Sequence, residues 1–258
     1  MAKKRLIFTL LYDNGSFMLS RNFRLQKIGD LKWLETNYGF SEVGYSIDEL
    51  IVLDVSRTPR DRQAFCETLK ALTFDCFAPI AAGGGVNSVK EAHDLLRSGA
   101  DKVVVNTALH TNPDLISKLA TEFGRQCIVA SLDCKYSDNT YQLVTNNGSE
   151  TIDLELPQFL AEISSLPVGE IYLNSVDRDG TGNGYDFKLL DCLPKSIEVP
   201  VILAGGVGNS KHLAEGLSDH RVDAVATANL LNFMGNGLAL ARAELINTNF
   251  DLPVFIEY

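Results

Sequence analysis

The chain has 258 residues, of which 45% are hydrophobic and 22% are charged. This composition is typical of a globular protein with a sizeable buried core, and it excludes disordered, collagen-like and coiled-coil chains. The 33 acidic and 23 basic residues give a net charge of −10. So acidic a chain is not expected to bind nucleic acid or an anionic membrane.

Cysteine usage and the first residues predict a cytoplasmic location. The five cysteines lie far apart and include no C-x-x-C pair, which argues against a disulfide framework or a zinc site. The apolar stretch after Lys4 stops at Asp13-Asn14-Gly15 and is too short for a signal sequence or a membrane span. The four histidines show no ligand spacing, so the sequence predicts neither a metal site nor a cofactor.

Eight short runs rich in β-branched residues alternate with longer amphipathic segments, as in repeated βα units. The clearest helical segments are residues 88–98 and 112–123, the second of which opens on Asn-Pro-Asp. Eight such units in roughly 250 residues predict one domain, a (β/α)8 TIM barrel over residues 1–258. The predicted strands are residues 5–11, 49–54, 77–83, 102–106, 127–133, 170–174, 200–204 and 223–227.

The two halves of the chain resemble each other. Residues 79–86 (PIAAGGGV) match residues 200–207 (PVILAGGV), so we predict a barrel built from two similar half-barrels. Two insertions interrupt the βα rhythm after the first and fifth strands, at residues 13–30 and 136–150. The second contains alternating apolar residues before Asn147-Gly148, which predicts a hairpin.

Glycine-rich turns follow the third and seventh predicted strands. Gly83-Gly84-Gly85 and Gly205-Gly206 each lie between a strand and a helix, where backbone N–H groups can approach a phosphate closely. A tight βα turn would explain one such motif, but two equivalent copies favour phosphate binding. Asn106-Thr107 and Ala228-Asn229 follow the next strands and can complete the two sites. We therefore predict a ligand with two phosphates or two phosphate-like ends.

Three aspartates fall at or just beyond the C-terminal ends of predicted strands, the face where such barrels carry their active sites. Asp54 and Asp179 are as well explained as helix caps. Asp133 closes an apolar strand, so its carboxylate is expected to enter the barrel mouth as a general acid or base. The equivalent position in the first half-barrel is Leu11, so the repeat supplies one carboxylate where symmetry would offer two.

Charged residues begin four of the predicted strands, at the opposite rim of the barrel. Arg5 and Lys102 are positive, and Glu49 and Glu170 are negative. From the residues alone, structural ion pairs that close the barrel floor are the favoured interpretation.

Taken together, these motifs resemble the cyclase subunit of imidazole glycerol phosphate synthase over nearly the whole chain. The resemblance implies a (β/α)8 barrel that pairs with a glutaminase subunit, receives ammonia at its bottom face and uses it on a bisphosphorylated substrate at the top. The matching segments are residues 4–7, 48–54, 83–85, 99–103, 106–107, 112–113 and 123–124, Asp133, residues 177–181, residues 184–186 and Gly205-Gly206.

The resemblance also implies roles for individual residues, and it replaces the ion-pair interpretation of the four charges. The gate of an ammonia channel would consist of Arg5, Glu49, Lys102 and Glu170. Asp101 and Gln126 would face the glutaminase. The phosphorylated substrate would lie against Gly85, Asn106 and Thr107 at one phosphate, against Asp179, Gly180, Gly206, Ala228 and Asn229 at the other, and against Asp54 and Asn174. The family usually has serine where this chain has Asn229.

The chain departs from the family at the chemistry. The family's two catalytic aspartates correspond to Asp133 and to the position that Leu11 occupies here, and a lysine of its first loop is replaced by Leu19. This pattern resembles a divergent branch associated with glycosyl amidation in lipopolysaccharide O-antigen synthesis. In that branch a barrel and its glutaminase supply ammonia to a separate sugar amidotransferase. We therefore predict an ammonia-channelling subunit of that kind.

Two other hypotheses stay open. One is a cyclase of histidine biosynthesis, which converts ammonia and phosphoribulosyl-formimino-AICAR-phosphate to imidazole glycerol phosphate and AICAR. In it, Asp133 would share the work with a nearby group such as Asp54 or Tyr12. The other is a structural activator that stimulates a glutaminase without conducting ammonia.

Overall fold

A closed ring of eight parallel strands forms the centre of the protein in a computed structural model that describes residues 3–57, 59–195, 197–229 and 231–253. The barrel strands are β1, β4, β5, β6, β7, β10, β11 and β12, and the pairing of β12 with β1 closes the ring. In chain order the strands are β1 (Arg5–Asp13), β2 (Ser16–Arg21), β3 (Arg24–Gly29), β4 (Glu49–Asp54), β5 (Ile80–Gly83), β6 (Lys102–Val105), β7 (Ile128–Ser137), β8 (Thr140–Thr145), β9 (Glu150–Glu155), β10 (Glu170–Ser175), β11 (Val201–Ala204) and β12 (Ala224–Thr227). The predicted TIM barrel is confirmed.

Helices connect most of the barrel strands and cover the outside of the ring. They are α1 (Leu31–Tyr38), α2 (Phe40–Val43), α3 (Arg62–Asp75), α4 (Val89–Arg97), α5 (Ala108–Thr111), α6 (Pro113–Phe123), α7 (Leu156–Ile163), α8 (Ser210–Ser218) and α9 (Gly237–Asn247), with 3-10 turns at Arg125–Cys127 and Phe187–Cys192. Side-chain caps define several starts: Ser88 accepts a hydrogen bond from the Glu91 amide, and Asn209 accepts one from the His212 amide. None of the described helices has the length and hydropathy to span a membrane.

Strand alternation separates two buried layers. Side chains that face the lumen include Ile7, Ile51, Val129 and Ile202, all essentially inaccessible to solvent. Their neighbours along each strand, such as Leu6 and Leu50, point outward and join the larger core beneath the helices. Because successive residues of a strand point to opposite faces, an apolar run buried on both sides fills the lumen and the outer layer at once.

Both insertions form antiparallel hairpins on the barrel mouth. β1 continues into β2, which pairs with β3, through a turn at Asn14-Gly15 with positive φ at both residues. β7 continues into β8, which pairs with β9 across residues 146–149. The hairpin predicted at Asn147-Gly148 is confirmed, and both residues have positive φ. The hairpin in residues 13–30 was not predicted, because its apolar positions are spaced irregularly.

The third predicted strand starts three residues later than expected, and the fifth, seventh and eighth each start one residue later. The prediction ran from residue 77, whereas β5 begins at Ile80. Phe77 is 78% exposed and Pro79 has no amide hydrogen, so the chain joins the sheet only after the proline. β1 and β7 instead run past their predicted ends because the two hairpins prolong them.

A substitution of Phe65 on α3 tests the packing of the outer core. Its ring is fully buried and lies 5.1 Å from that of Tyr12 on β1, so Phe65→Ala leaves a cavity and should lower the free energy of unfolding by about 3 to 5 kcal/mol. Urea unfolding measures this loss. Phe74→Ala on the same helix is the control, since Phe74 is 85% exposed, and it should change stability by less than about 0.5 kcal/mol. Equal losses in the two variants would contradict the described packing.

Candidate functional site

A cavity of about 560 Å³ lies at the C-terminal ends of the barrel strands, beneath the β2–β3 hairpin. All residues that the sequence predicted around the phosphorylated ligand line this one cavity. They are Asp54, Gly85, Asn106, Thr107, Asp133, Asn174, Asp179, Gly180, Gly206, Ala228 and Asn229. Parallel strands bring their C-terminal ends to the same rim, which is why positions spread over 176 residues of sequence meet in one cavity.

Asp133 lies between two side-chain amides in the cavity at the barrel mouth. Its Oδ2 accepts a hydrogen bond from Asn106 Nδ2 at 2.9 Å, and its Oδ1 accepts one from Asn174 Nδ2 at 2.8 Å. Burial raises the pKa of Asp133 to about 6, although both amides favour the charged form and oppose that shift. A carboxyl with a pKa near 6 can both take and give a proton close to neutral pH.

Asn106 and Asn174 therefore have a role that the sequence analysis missed. It assigned both to the phosphorylated substrate, whereas in the structure their amide nitrogens are directed to Asp133. The strand register explains this for Asn174, which pairs with Asp133 across β10 and β7. Two asparagines at the ends of strands flanking an aspartate would have been the sequence signal.

Three leucines line the cavity on the side opposite Asp133. Leu11 lies on β1, which is four strands away from β7 in the ring of eight, so the two residues come from opposite sides of the barrel. Leu53 pairs with Leu11 in the register of β1 and β4, and Leu19 of the hairpin lines the cavity beside them. These three positions therefore offer no acid or base to a ligand that Asp133 contacts from the other side, and the carboxyl that lines the cavity next to them is that of Asp54.

From the sequence, Asp54 and Tyr12 were the candidates for a second acid or base beside Asp133. Tyr12 faces away from the cavity, with its ring packed against Phe65 and Phe17 at centroid distances of 5.1 and 6.2 Å. That part of the hypothesis is wrong, because the residue after Leu11 on a strand points to the opposite face. Asp54 does line the cavity, and its Oδ1 also accepts the Ser56 amide at 3.0 Å, as in a turn cap.

The two glycine turns require glycine for lack of space. At Gly84, where φ is +118°, a Cβ atom would lie 2.2 Å from the Asp54 carbonyl oxygen. At Gly206, where φ is +105°, a Cβ atom would lie 2.1 Å from the Gly184 carbonyl oxygen. Each turn precedes a nine-residue helix, α4 or α8. Backbone so exposed and so close to a helix start can approach an anion closely.

Asp179 ties the β2–β3 hairpin to the loop after β10. Its Oδ2 accepts hydrogen bonds from Ser20 Oγ at 2.5 Å and from the Phe23 amide at 3.1 Å, and burial raises its pKa. At Gly180, a Cβ atom would lie 2.0 Å from the Ser20 carbonyl oxygen, so the hairpin rests directly on this loop. The Asp179 carboxylate therefore fixes the β2–β3 hairpin over the cavity. The sequence did not predict this role.

The four predicted gate residues meet at the other end of the barrel. Arg5 Nη1 lies 3.0 Å from Glu49 Oε2 and 2.8 Å from Glu170 Oε1. Lys102 Nζ lies 2.8 Å from Glu49 Oε2 and 3.2 Å from Glu170 Oε2. The four side chains thus form a ring of alternating charge across the lumen. Burial raises the pKa of Glu49, and Lys102 and Arg5 act against that shift.

Asp101 and Gln126 lie exposed at the same rim as the charged ring. Asp101 directly precedes β6, and its Oδ2 accepts the Ile80 amide at 2.8 Å. Gln126 lies in the 3-10 turn before β7. The structure thus separates the predicted residues into two groups, with the ligand set at the mouth and the gate and interface sets at the floor.

The raised pKa of Asp133 predicts how stability changes with pH. Since the folded state holds this proton more tightly than the unfolded state, stability falls as pH rises from about 4 through about 6. Asp133→Asn removes that loss, so between pH 5 and pH 8 the free energy of unfolding should fall by about 1 kcal/mol less in the variant than in the parent. Urea unfolding at the two pH values measures the difference.

Asp219→Asn is the control of opposite sign. Hydrogen bonds from Arg221 lower the pKa of Asp219 to about 2, so its contribution is present above the unfolded pKa and is lost as pH falls towards 2. This variant should be less stable than the parent at pH 8. An equal fall in stability from pH 5 to pH 8 in Asp133→Asn and in the parent would contradict the described environment of that carboxyl.

Comparison with known proteins places this geometry in a family. The family model described as "Histidine biosynthesis protein" matches residues 40–235. The chain is 46% identical over 244 residues, 95% of its length, to 91% of the "Putative imidazole glycerol phosphate synthase subunit hisF2" of Parasynechococcus marenigrum. It is 35% identical over 258 residues, the full length of both chains, to the imidazole glycerol phosphate synthase subunit HisF of Dehalococcoides mccartyi. The chain therefore belongs to the histidine biosynthesis protein family and resembles its imidazole glycerol phosphate synthase HisF subunits.

Proposed function

We propose that this chain is an ammonia-using barrel subunit of the imidazole glycerol phosphate synthase type. The observation that carries the proposal is the arrangement along one lumen: a charged ring at the floor and, at the mouth, a carboxyl of pKa about 6 between two glycine turns. The reaction would combine ammonia with phosphoribulosyl-formimino-AICAR-phosphate to give imidazole glycerol phosphate, AICAR and water. The names of the relatives support the same assignment.

In this proposal each end of the barrel has its own partner. A glutaminase subunit would bind the floor beside Asp101 and Gln126 and release ammonia at the charged ring. Gly85 and Gly206 would hold the two phosphates of the substrate at the mouth. Asp133 would exchange protons with the substrate. Asn106 and Asn174 would orient the Asp133 carboxyl. The described chemistry needs no metal or cofactor.

Leu11 favours a second candidate function. A cyclisation that uses two opposed carboxyl groups would find Leu11 at the position that faces Asp133 across the barrel. The barrel would then conduct ammonia to a separate sugar amidotransferase in surface-polysaccharide synthesis, with a glutaminase at its floor. The phosphate sites would hold a different ligand or none.

A cyclase assay with ammonium salt tests the first proposal without a glutaminase. We expect turnover of phosphoribulosyl-formimino-AICAR-phosphate by the purified chain, and a loss of roughly 10²- to 10⁴-fold in Asp133→Asn. Leu11→Asp should raise the parent's rate, since it restores an opposed carboxyl. Leu53→Asp is the matched control, because it adds the same group on the neighbouring strand β4. No turnover in the parent, together with turnover in Leu11→Asp, would support the second candidate instead.

Blocking the lumen separates a conduit from a structural activator. Ala224 faces the lumen on β12 and pairs with Arg5 of the charged ring. In complex with the glutaminase, Ala224→Leu should lower glutamine-driven product formation about tenfold and leave ammonium-driven formation unchanged, because ammonium enters from the mouth. Val225→Leu, which faces the helices instead, is the control. If glutamine-driven formation is unchanged in Ala224→Leu, the barrel does not conduct ammonia.

A further inference from the structure

Three hydroxyl groups lie between the apolar lumen and the cavity at the barrel mouth. They belong to Thr9 on β1, Ser131 on β7 and Tyr172 on β10, and we call these residues the hydroxyl cluster. All three line the cavity, although each is almost fully buried. Ser131 lies two residues before Asp133 on β7, so both side chains point to the same face of that strand. The hydroxyl cluster is therefore one step closer to the floor than the Asp133 carboxyl.

Tyr172 extends across the lumen. Its hydroxyl oxygen lies 3.4 Å from Thr9 Oγ1, although β11 and β12 separate β10 from β1 in the ring. The residues that face the lumen on these two strands include Ala204 and Ala226, whose small side chains leave room for an aromatic ring. The Tyr172 side chain therefore lies across the passage that leads from the lumen into the cavity.

The hydroxyl cluster has unused capacity for hydrogen bonds. A distance of 3.4 Å is long for an O–H···O hydrogen bond, so Thr9 and Tyr172 hold each other only weakly. Ser131 pairs with Tyr172 in the register of β7 and β10, and its hydroxyl has no hydrogen-bond partner among the described residues. Burial raises the pKa of Tyr172, and the charges of Asp133 and Asp179 add to that shift. The Tyr172 hydroxyl therefore keeps its proton and can donate it in a hydrogen bond.

The lumen on the floor side of the hydroxyl cluster is aliphatic. Ile7, Ile51, Val129 and Ile202 face it and are essentially inaccessible to solvent. An ion would lose its hydration there at a far higher cost than a neutral molecule of the same size. A neutral molecule that passes this layer from the charged ring next meets the hydroxyl cluster and then Asp133.

We propose that Thr9, Ser131 and Tyr172 form a binding site for one ammonia molecule between the lumen and Asp133. Ammonia has one lone pair and three N–H groups. It would accept a hydrogen bond from the Tyr172 hydroxyl and donate to the oxygens of Thr9 and Ser131, in place of the weak contact between Thr9 and Tyr172. Ammonium has no lone pair and could not accept from Tyr172, so the site selects the neutral form. The inference rests on the proposed use of ammonia by this barrel.

Carbon-13 NMR of the tyrosine rings tests this site without any reaction. Titration of the full chain with ammonium chloride at alkaline pH, where part of the salt is ammonia, should shift the Tyr172 ring signal to saturation. Sodium chloride at the same pH and ionic strength should not shift it. Tyr172→Phe assigns the signal. Thr9→Val should weaken ammonia binding about three- to tenfold, whereas Thr9→Ser keeps the hydroxyl and should bind ammonia as the parent does.

The KM for ammonia tests whether the reaction uses the site. In the cyclase assay with ammonium salt, Tyr172→Phe should raise this KM about three- to tenfold, with a smaller effect on the KM of the phosphorylated substrate. Tyr185→Phe is the matched control, because Tyr185 is also buried but lies in the outer core, where its hydroxyl donates to the Ala226 carbonyl at 3.1 Å. Thermal unfolding checks that all variants fold.

Three results would overturn the inference: no saturable shift of the Tyr172 signal, equal ammonia affinity in Thr9→Val and the parent, or equal KM for ammonia in Tyr172→Phe and Tyr185→Phe. The titration does not depend on cyclase activity. A shift that Thr9→Val weakens, in a chain without turnover, would support the site and count against the proposed cyclase. Turnover without any shift would count against the site and leave the cyclase proposal standing.

Discussion

The hydrogen bonds between β12 and β1 close the sheet, and every functional feature of the protein depends on that closure. A closed parallel barrel has two chemically distinct ends, since all strands start at one rim and finish at the other. Charges at strand starts therefore meet as a ring at the floor, and polar residues at strand ends meet as a cavity at the mouth. The apolar lumen between them is the connection that an ammonia conduit would need.

The buried carboxyl groups at the two ends of the barrel have different partners. At the floor, Glu49 and Glu170 each lie between Arg5 and Lys102, so mutual attraction offsets the cost of removing four charges from water. At the mouth, Asp133 has only the amides of Asn106 and Asn174, which stabilise its charge less than a cation would. Burial raises the pKa of a carboxyl at each end, and at the mouth it leaves Asp133 able to titrate near neutral pH.

The two half-barrels repeat the same backbone but no longer carry the same chemistry. Gly84 and Gly206 are both required by nearby carbonyl oxygens, so the turn geometry is kept in each half. The side chains at the strand ends have diverged, since Leu11 faces the cavity where the other half has Asp133. Function in such a repeat is decided by the few residues at strand ends, while the strands themselves maintain the barrel.

The sequence by itself determined the class of fold and the ends of the barrel to which the functional residues belong. Short β-branched runs, two glycine motifs and Asp133 at a strand end follow from local pattern, because strand propensity and backbone crowding are local properties. Only the tertiary structure decided three other features. They are the contacts of Asn106 and Asn174 with Asp133, the outward direction of Tyr12, and the hydrogen bond between Ser20 and Asp179. The physical reason is that each depends on strand register or loop packing between residues far apart in the chain, and no spacing in the sequence records which side chains will face each other.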